Sequence, residues 1–223
     1  MRAELSVIIP TRDAGAVLPA CLATLFEGVE TGLIRELIIS DGGSGDGTSD
    51  IAEEAGARLI TGPPSRGGQL RRGADAASGA WLLFLHADTR LSPGWTEVVR
   101  AQMADSRPAW FRLCFDDGSL PARLVAGWAN LRARVLALPY GDQGLLIARS
   151  EYDAVGGYPD IPLMEDVAMA RRLGRRMRGM PATALTSAER YRRDGWLRRG
   201  ARNLTLLARY FAGADPNDLH RGY

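Results

Sequence analysis

The sequence predicts an α/β protein with a mostly parallel central sheet, helices on both faces and a C-terminal amphipathic helix. Three observations predict it. Short apolar runs rich in branched residues alternate with helically periodic segments through residues 5–85. Three of those runs break off in unusual polar stretches, where open α/β sheets place their ligands. At 223 residues, the chain is long enough for one substantial core.

Residues 5–10 (LSVIIP) form the first expected strand. Val17, Leu18, Cys21, Leu22 and Leu25 share one helical face, which predicts a helix over 17–27. Residues 36–40 (ELIIS) are a second strand, followed by a helix over 48–55 that Asp46 or Thr48 can cap. A strand over 57–61, a helix over 66–77 and a strand over 81–85 complete the regular half. Beyond it the expected elements are a strand over 110–115, a helix over 121–138 and a strand over 144–148. Helices over 166–175 and 195–211 follow. The sequence holds no internal repeat and no separating linker.

Apolar residues make up 46% and charged residues 24%, which is ordinary for a globular chain. No apolar run reaches the roughly 20 residues of a membrane span. Met1-Arg2-Ala3-Glu4 leads straight into a strand without an apolar leader, which predicts a cytoplasmic protein. Cys21 and Cys114 lie in apolar surroundings without ligand-spaced partners, so both are expected to be buried small hydrophobes. All 28 basic residues are arginine, a bias expected of the genome rather than of function. The net charge of +2 hides an asymmetry: residues 167–223 hold 13 Arg against 4 acids. A basic tail can meet phosphate or acidic lipid, or simply solvate a helix. It contains no recognisable nucleic-acid module, so no nucleic-acid partner is expected.

Four polar stretches can carry chemistry. Residues 40–48 (SDGGSGDGT) lack the third glycine of a dinucleotide fingerprint and the Gly-Lys-Ser/Thr of a P-loop. They place Asp41 at a strand end, where it can accept from a ribose or a base, or merely build a tight turn. Residues 63–74 (PPSRGGQLRRGA) set Arg66 at a helix start, an arrangement suited to phosphate. Residues 86–89 (HADT) offer Asp88 to a Mg²⁺ or Mn²⁺ ion shared with substrate phosphates, or as a cap for the segment from Ser92. His86, two positions away, is expected on the same side. It is a metal neighbour or an ordinary hydrogen-bonding histidine. Glu165-Asp166 opens an apolar-periodic helix, either as dipole complement or as a general base.

In this order the four pieces resemble the family-2 glycosyltransferases with the GT-A (nucleotide-diphospho-sugar transferase) fold. Val7 to Asp13 is similar to that family's first-strand stretch, and Ser40-Asp41-Gly42-Gly43-Ser44 to its Asp-Asp-Gly-Ser. His86-Ala87-Asp88 is similar to its Asp-x-Asp metal motif, with His86 replacing the first carboxylate. Gly156-Gly157-Tyr158 and Glu165-Asp166 are similar to its acceptor-side pair. No Gln-x-x-Arg-Trp motif is present, which speaks against a polysaccharide synthase. Residues 186–203, 213–223 and the Gly141-Asp142-Gln143-Gly144 loop look like a bacterial subgroup, the radical-SAM/selenodomain-associated transferases.

The resemblance implies a single domain over 1–223. Its nucleotide-sugar-binding half would be 1–90, its acceptor half 91–185 and its basic helical tail 186–223. It implies metal-dependent, inverting transfer from a nucleoside-diphosphate sugar to a small or lipid-linked hydroxyl. Pro10, Thr11, Asp13, Asp41 and Gly42 would hold the nucleoside, and Arg66 would lie near the diphosphate. Asp88 would hold Mg²⁺ or Mn²⁺, with His86 beside it. Asp166 would be the base, with Glu165 orienting the acceptor or the sugar. His220 could fold back onto the metal. Arg190, Arg192 and Arg193 are candidates for a diphosphate or lipid phosphate. The helix from Gly195 sets Trp196, Leu197, Leu204, Leu207 and Phe211 among arginines, either packed on the sheet or lying at the inner membrane face. A sugar nucleotidyltransferase would need a more glycine-rich loop than Thr11-Arg12-Asp13-Ala14-Gly15. A catalytically degenerate binding or scaffold protein is favoured by His86 and opposed by Asp41, Asp88 and Asp166.

Overall fold

The computed structural model describes residues 3–221; Met1, Arg2, Gly222 and Tyr223, part of the N-terminal and C-terminal readings above, lie outside the described residues. The elements in chain order are β1 (Leu5–Thr11), α1 (Leu18–Glu30), β2 (Ile34–Asp41), α2 (Thr48–Glu54), β3 (Arg58–Thr61), α3 (Arg66–Ala76) and β4 (Trp81–Phe84). Then come β5 (Thr89–Leu91), α4 (Trp95–Asp105), β6 (Ala109–Phe115), α5 (Leu120–Leu136), β7 (Leu145–Ala148) and α6 (Arg149–Ala154). The last are α7 (Glu165–Leu173), β8 (Arg178–Thr186), α8 (Glu189–Asp194), α9 (Trp196–Phe211) and α10 (Pro216–Arg221).

One eight-stranded sheet runs β3-β2-β1-β4-β7-β6-β8-β5. The β3-β2-β1-β4 half is wholly parallel, as βαβ crossovers require. β7 lies antiparallel between β4 and β6, β6 and β8 are parallel, and β5 closes the edge antiparallel to β8. Alternation along the strands feeds two cores. Leu5, Val7 and Ile9 join Leu83, Leu18, Cys21, Trp95 and Val99 under α1 and α4. Ile8 joins Leu82, Phe84, Leu70, Val167, Met169 and Leu207 under α3, α7 and α9. The chain is therefore an α/β sandwich of helix, sheet and helix.

Two local expectations give way. Cys21 is buried, but Cys114 is exposed, because β6 alternates and turns Arg112 and Cys114 outward. Asp88 caps no helix; the Glu27 carboxylate takes the Gly94 and Thr96 N–H groups at the start of α4 instead. A third expectation holds although β4 ends at Phe84 and Thr89 N–H closes a turn on the His86 carbonyl: His86 and Asp88 share one side, while Leu85 and Ala87 join the core.

Candidate active site

The loops after β1 and β2 are zipped together by short polar contacts. Asp41 is buried, and its carboxylate accepts from Thr11 Oγ1 at 2.8 Å, from Gly43 N–H at 2.8 Å, from Ser44 N–H at 2.7 Å and from Ser44 Oγ. Burial alone would raise its pKa; the bonds from Ser44, Thr11 and Gly43 outweigh it and hold the carboxyl below the usual range. Asp13 enters the left-handed region at φ 48°, gives its N–H to Ser44 Oγ and takes the Gly45 N–H at 2.9 Å. Gln69, buried on α3, ties both loops from below by donating to the carbonyls of Thr11 and Ser40. A Cβ on Gly42 would stand 3.1 Å from the Gln69 carboxamide, so the small residue there makes room for that tie.

Above this floor opens a cavity of about 550 Å³, within the range of small-ligand sites. Pro10, Thr11, Asp13, Arg66, His86, Asp88, Asp166, Arg190 and His220 all line it. Asp41 and Gly42 do not; they sit beneath the loop that does. Glu165 also stands back, lining a smaller apolar space behind His86 and Asp166. Arg192 and Arg193 turn away to pair with Asp116, Asp117 and Asp194.

Adjacent carboxylates meet opposite environments at the start of α7. Met164 caps the helix at φ 66°, a conformation that costs a non-glycine residue roughly 1–3 kcal/mol. The next two side chains then diverge by about 100°, one helical step. Asp166 reaches the cavity, where Oδ2 accepts from Gly141 N–H at 2.8 Å and Oδ1 from Val167 N–H at 2.7 Å. Glu165 turns inward, fully buried, and neither carboxylate oxygen has a hydrogen-bond partner. Arg66 Nε lies 3.6 Å from Oε1, an ion pair beyond hydrogen-bond reach. Burial pushes Glu165 up to about 8, against the opposing pull of Arg66.

Burial also drives the His86 imidazole down to about 3, helped by the charge of Arg66. His86 is therefore neutral near pH 7. It packs on Gly141, where a Cβ would stand 2.5 Å from its Nε2. Burial raises Asp88 as well, against the pull of Arg190. Asp142 faces the same cavity; its Oδ1 is buried without a hydrogen-bond partner, and burial lifts it to about 6. Among the described residues, no three His, Cys, Asp or Glu side chains gather into a metal cage. A Mg²⁺ or Mn²⁺ ion does not need one, since it is commonly held by one or two carboxylates, waters and substrate phosphates. Asp88, with the unpartnered Asp142 Oδ1 lining the same cavity, fits that pattern.

Sequence reasoning did not single out Gln69, Tyr140, Tyr191, Arg199 or Asn203, all on the cavity wall. Gln69 could have been found, since it lies one helical turn after Arg66 on the same face. Tyr140 is held by Arg132, whose guanidinium carbon lies 3.4 Å from the ring centroid.

The family model for glycosyl transferase family 2 matches residues 6–119. A PGL/p-HBAD biosynthesis glycosyltransferase of Mycobacterium bovis is 45% identical over 93 residues, which are 39% of this chain and 36% of that one. A TPR repeat-containing protein of Synechococcus elongatus is 38% identical over 104 residues, 45% of this chain and 24% of that one. The matched stretch thus spans about a third or less of these relatives. Among solved structures, glucosyl-3-phosphoglycerate synthase from Mycobacterium tuberculosis, in complex with Mn²⁺, UDP and glucosyl-3-phosphoglycerate, superposes with a TM-score of 0.57. It is 20% identical, and the match covers 82% of this chain and 70% of that one. S. aureus TarS in complex with UDP-GlcNAc superposes with a TM-score of 0.61 at 14% identity, covering 82% of this chain and 58% of that one. Both likenesses are of fold, the GT-A arrangement of strands and helices.

Proposed function

Because the chain belongs to glycosyl transferase family 2, we propose that it moves a sugar from a nucleoside-diphosphate donor to a small or lipid-linked hydroxyl acceptor. One observation carries this reading. Thr11, Asp13, Arg66, Asp88 and Asp166 come from four separate stretches of chain and line one cavity of about 550 Å³.

The nucleoside lies against Pro10, Thr11 and Asp13. Asp41 supports it indirectly, by fixing the loop that presents them. Arg66 and Arg190 face the diphosphate from α3 and α8. Asp88 would hold a Mg²⁺ or Mn²⁺ ion, with Asp142 and neutral His86 lining the same cavity. When bound, the ion supplies positive charge against the departing diphosphate. Asp166 takes the proton of the acceptor hydroxyl. The acceptor oxygen bonds to the anomeric carbon as the bond from that carbon to the phosphate oxygen breaks. The nucleoside diphosphate leaves, and a single in-line displacement inverts the anomeric centre. The two N–H groups on the Asp166 carboxylate aim it for that transfer. His220, on α10, lines the same cavity.

Calorimetric titration with UDP- and GDP-sugars, with and without Mn²⁺, tests the reading. We expect metal-dependent binding of one nucleotide, lost in Asp88→Ala. Asp166→Asn should bind donor normally and lose turnover by at least about 100-fold, the usual contribution of a general base. Loss of donor binding in Asp166→Asn would remove the base assignment. Absence of nucleotide binding in folded protein would turn the reading toward a binding or scaffold protein.

A further inference from the structure

Helix α5 is amphipathic in the wrong direction for a helix that only packs on a core. Its inner face is small: Ala122, Ala126, Ala129 and Ala133 sit against β6 and its surroundings. Its outer face carries the large apolar residues Leu120, Leu124, Trp128, Leu131 and Val135, each at least half exposed. At 100° per residue these five fall within one stripe about 80° wide, with Arg123 and Arg134 together along one edge. Packed beside it, α9 repeats the device. Its inner residues Arg199, Asn203 and Leu206 wall the cavity, while Leu197, Leu204 and Phe211 remain exposed. Neither helix contains an acidic residue. Exposed Phe26 and Val29 on α1 differ, since Glu27 and Glu30 interrupt them.

We propose that the outer stripe of α5, flanked by α9, docks on an anionic lipid surface. Charge complementarity selects this occupant. Two copies packed antiparallel through the stripe and centred on Trp128 would set Arg123 of each copy beside Arg134 of the other. No acid on the helix would offset that repulsion. A bilayer bearing anionic headgroups instead accepts the apolar stripe at the acyl boundary and the arginines at the headgroups. Trp128 in mid-stripe suits the interface, where its ring is amphipathic. No helix among the described residues is long and apolar enough to cross a membrane, so the contact is peripheral. Docking this way sets against lipid the outer face of α9, whose inner face walls the cavity; this deepens the reading of a lipid-linked acceptor and rests on it only in that respect.

Co-sedimentation with vesicles, in the absence of nucleotide, tests the surface apart from the catalytic reading. The chain should sediment with phosphatidylcholine vesicles carrying about one-third phosphatidylglycerol, and binding should weaken as salt rises. It should not sediment with phosphatidylcholine alone. The double variant Trp128→Ser, Leu131→Ser, with its fold checked by circular dichroism, should partition at least about tenfold more weakly. Trp128→Phe should still bind but lose the vesicle-induced blue shift of tryptophan emission. Binding of the double variant equal to the parent would overturn the proposal. So would a dimer in light scattering that the double variant dissolves, with no vesicle binding by either; that outcome assigns the stripe to a second copy.

Discussion

Glu165 and Asp166 are neighbours in sequence and opposites in chemistry, and the difference can be measured. Glu165 has an ordinary value of 4.5 and is pushed by burial to about 8 in the folded chain. Below pH 4.5 both folded and unfolded chains hold this proton, and the residue adds no pH dependence. Between 4.5 and 8 the unfolded chain releases it while the folded chain keeps it, so stability falls as pH rises. Glu165→Gln removes that slope. Its stability gain should be smallest at pH 5 and reach roughly 1–3 kcal/mol by pH 8, the range for an unsatisfied buried polar group. Urea denaturation across pH 5–9 checks it, and parallel profiles for parent and variant would remove the assignment of a protonated Glu165. The pair itself was legible in the sequence as carboxylates at a helix start. Which of the two faced the cavity was not, because that depends on the left-handed entry at Met164, a conformation that methionine as a residue type does not announce. Asp41 was legible in the same partial way. Its place at a strand end is written in residues 40–48, but its complete engagement by Thr11, Gly43 and Ser44 depends on how two distant loops meet.

At the scale of elements, α3 owes its position to two adjacent glycines. Gly67 N–H donates to the Ile161 carbonyl at 3.0 Å, and a Cβ on Gly67 would collide with the Pro159 carbonyl. A Cβ on Gly68 would press, less severely, on the Asp160 carboxylate, which also accepts from Ser65 Oγ, the cap of the helix, at 2.6 Å. Segment 159–161 therefore lies directly on the first turn of α3 and leads into Met164 and the two carboxylates. Gly67→Ala should destabilise the chain by about 1–3 kcal/mol, the usual cost of overpacking, despite alanine's better helix propensity. It should also weaken donor binding, since Arg66 rides on the displaced turn. A thermal melt and a nucleotide titration read the two effects; unchanged stability would mean that segment 159–161 yields freely. The strands of the parallel half were legible because each is a dense apolar run of local origin. β8 was not: Arg178–Thr186 contains Gly, Pro and two alanines, and its strand character comes from long-range pairing with β6 and β5. The short β5 and the helix α4 escaped for a related reason. α4 begins without a side-chain cap of its own and is capped by Glu27 from α1.

At the scale of the whole molecule, the basic tail belongs to the same body as the sheet. Arg192 pairs with Asp116 and Asp117, Arg199 with Asp194, and Leu206, Leu207 and Leu219 join the core that contains Ile8 and Phe84. Net charge alone left solvated helix and phosphate-binding tail equally open, because pairing across the fold is invisible to a charge count. The last helix, α10, is six residues long, and Leu219 is its buried residue, while His220 beside it reaches the cavity rim. A fully buried leucine cut to alanine commonly costs 2–5 kcal/mol, roughly the penalty expected for Leu83→Ala in central β4. Leu219→Ala should not reach it. A helix of six residues has little stability of its own and can undock alone, so the global loss is capped near the free energy of that local opening. Global stability in urea should therefore fall by under about 1 kcal/mol, well below the effect of Leu83→Ala. Amide exchange across residues 216–221 should accelerate, and donor affinity should weaken as the wall carrying His220 becomes mobile. If Leu219→Ala instead costs as much as Leu83→Ala while those amides stay protected to the global limit, α10 is part of the cooperative core. The wall carrying His220 would then be fixed rather than mobile.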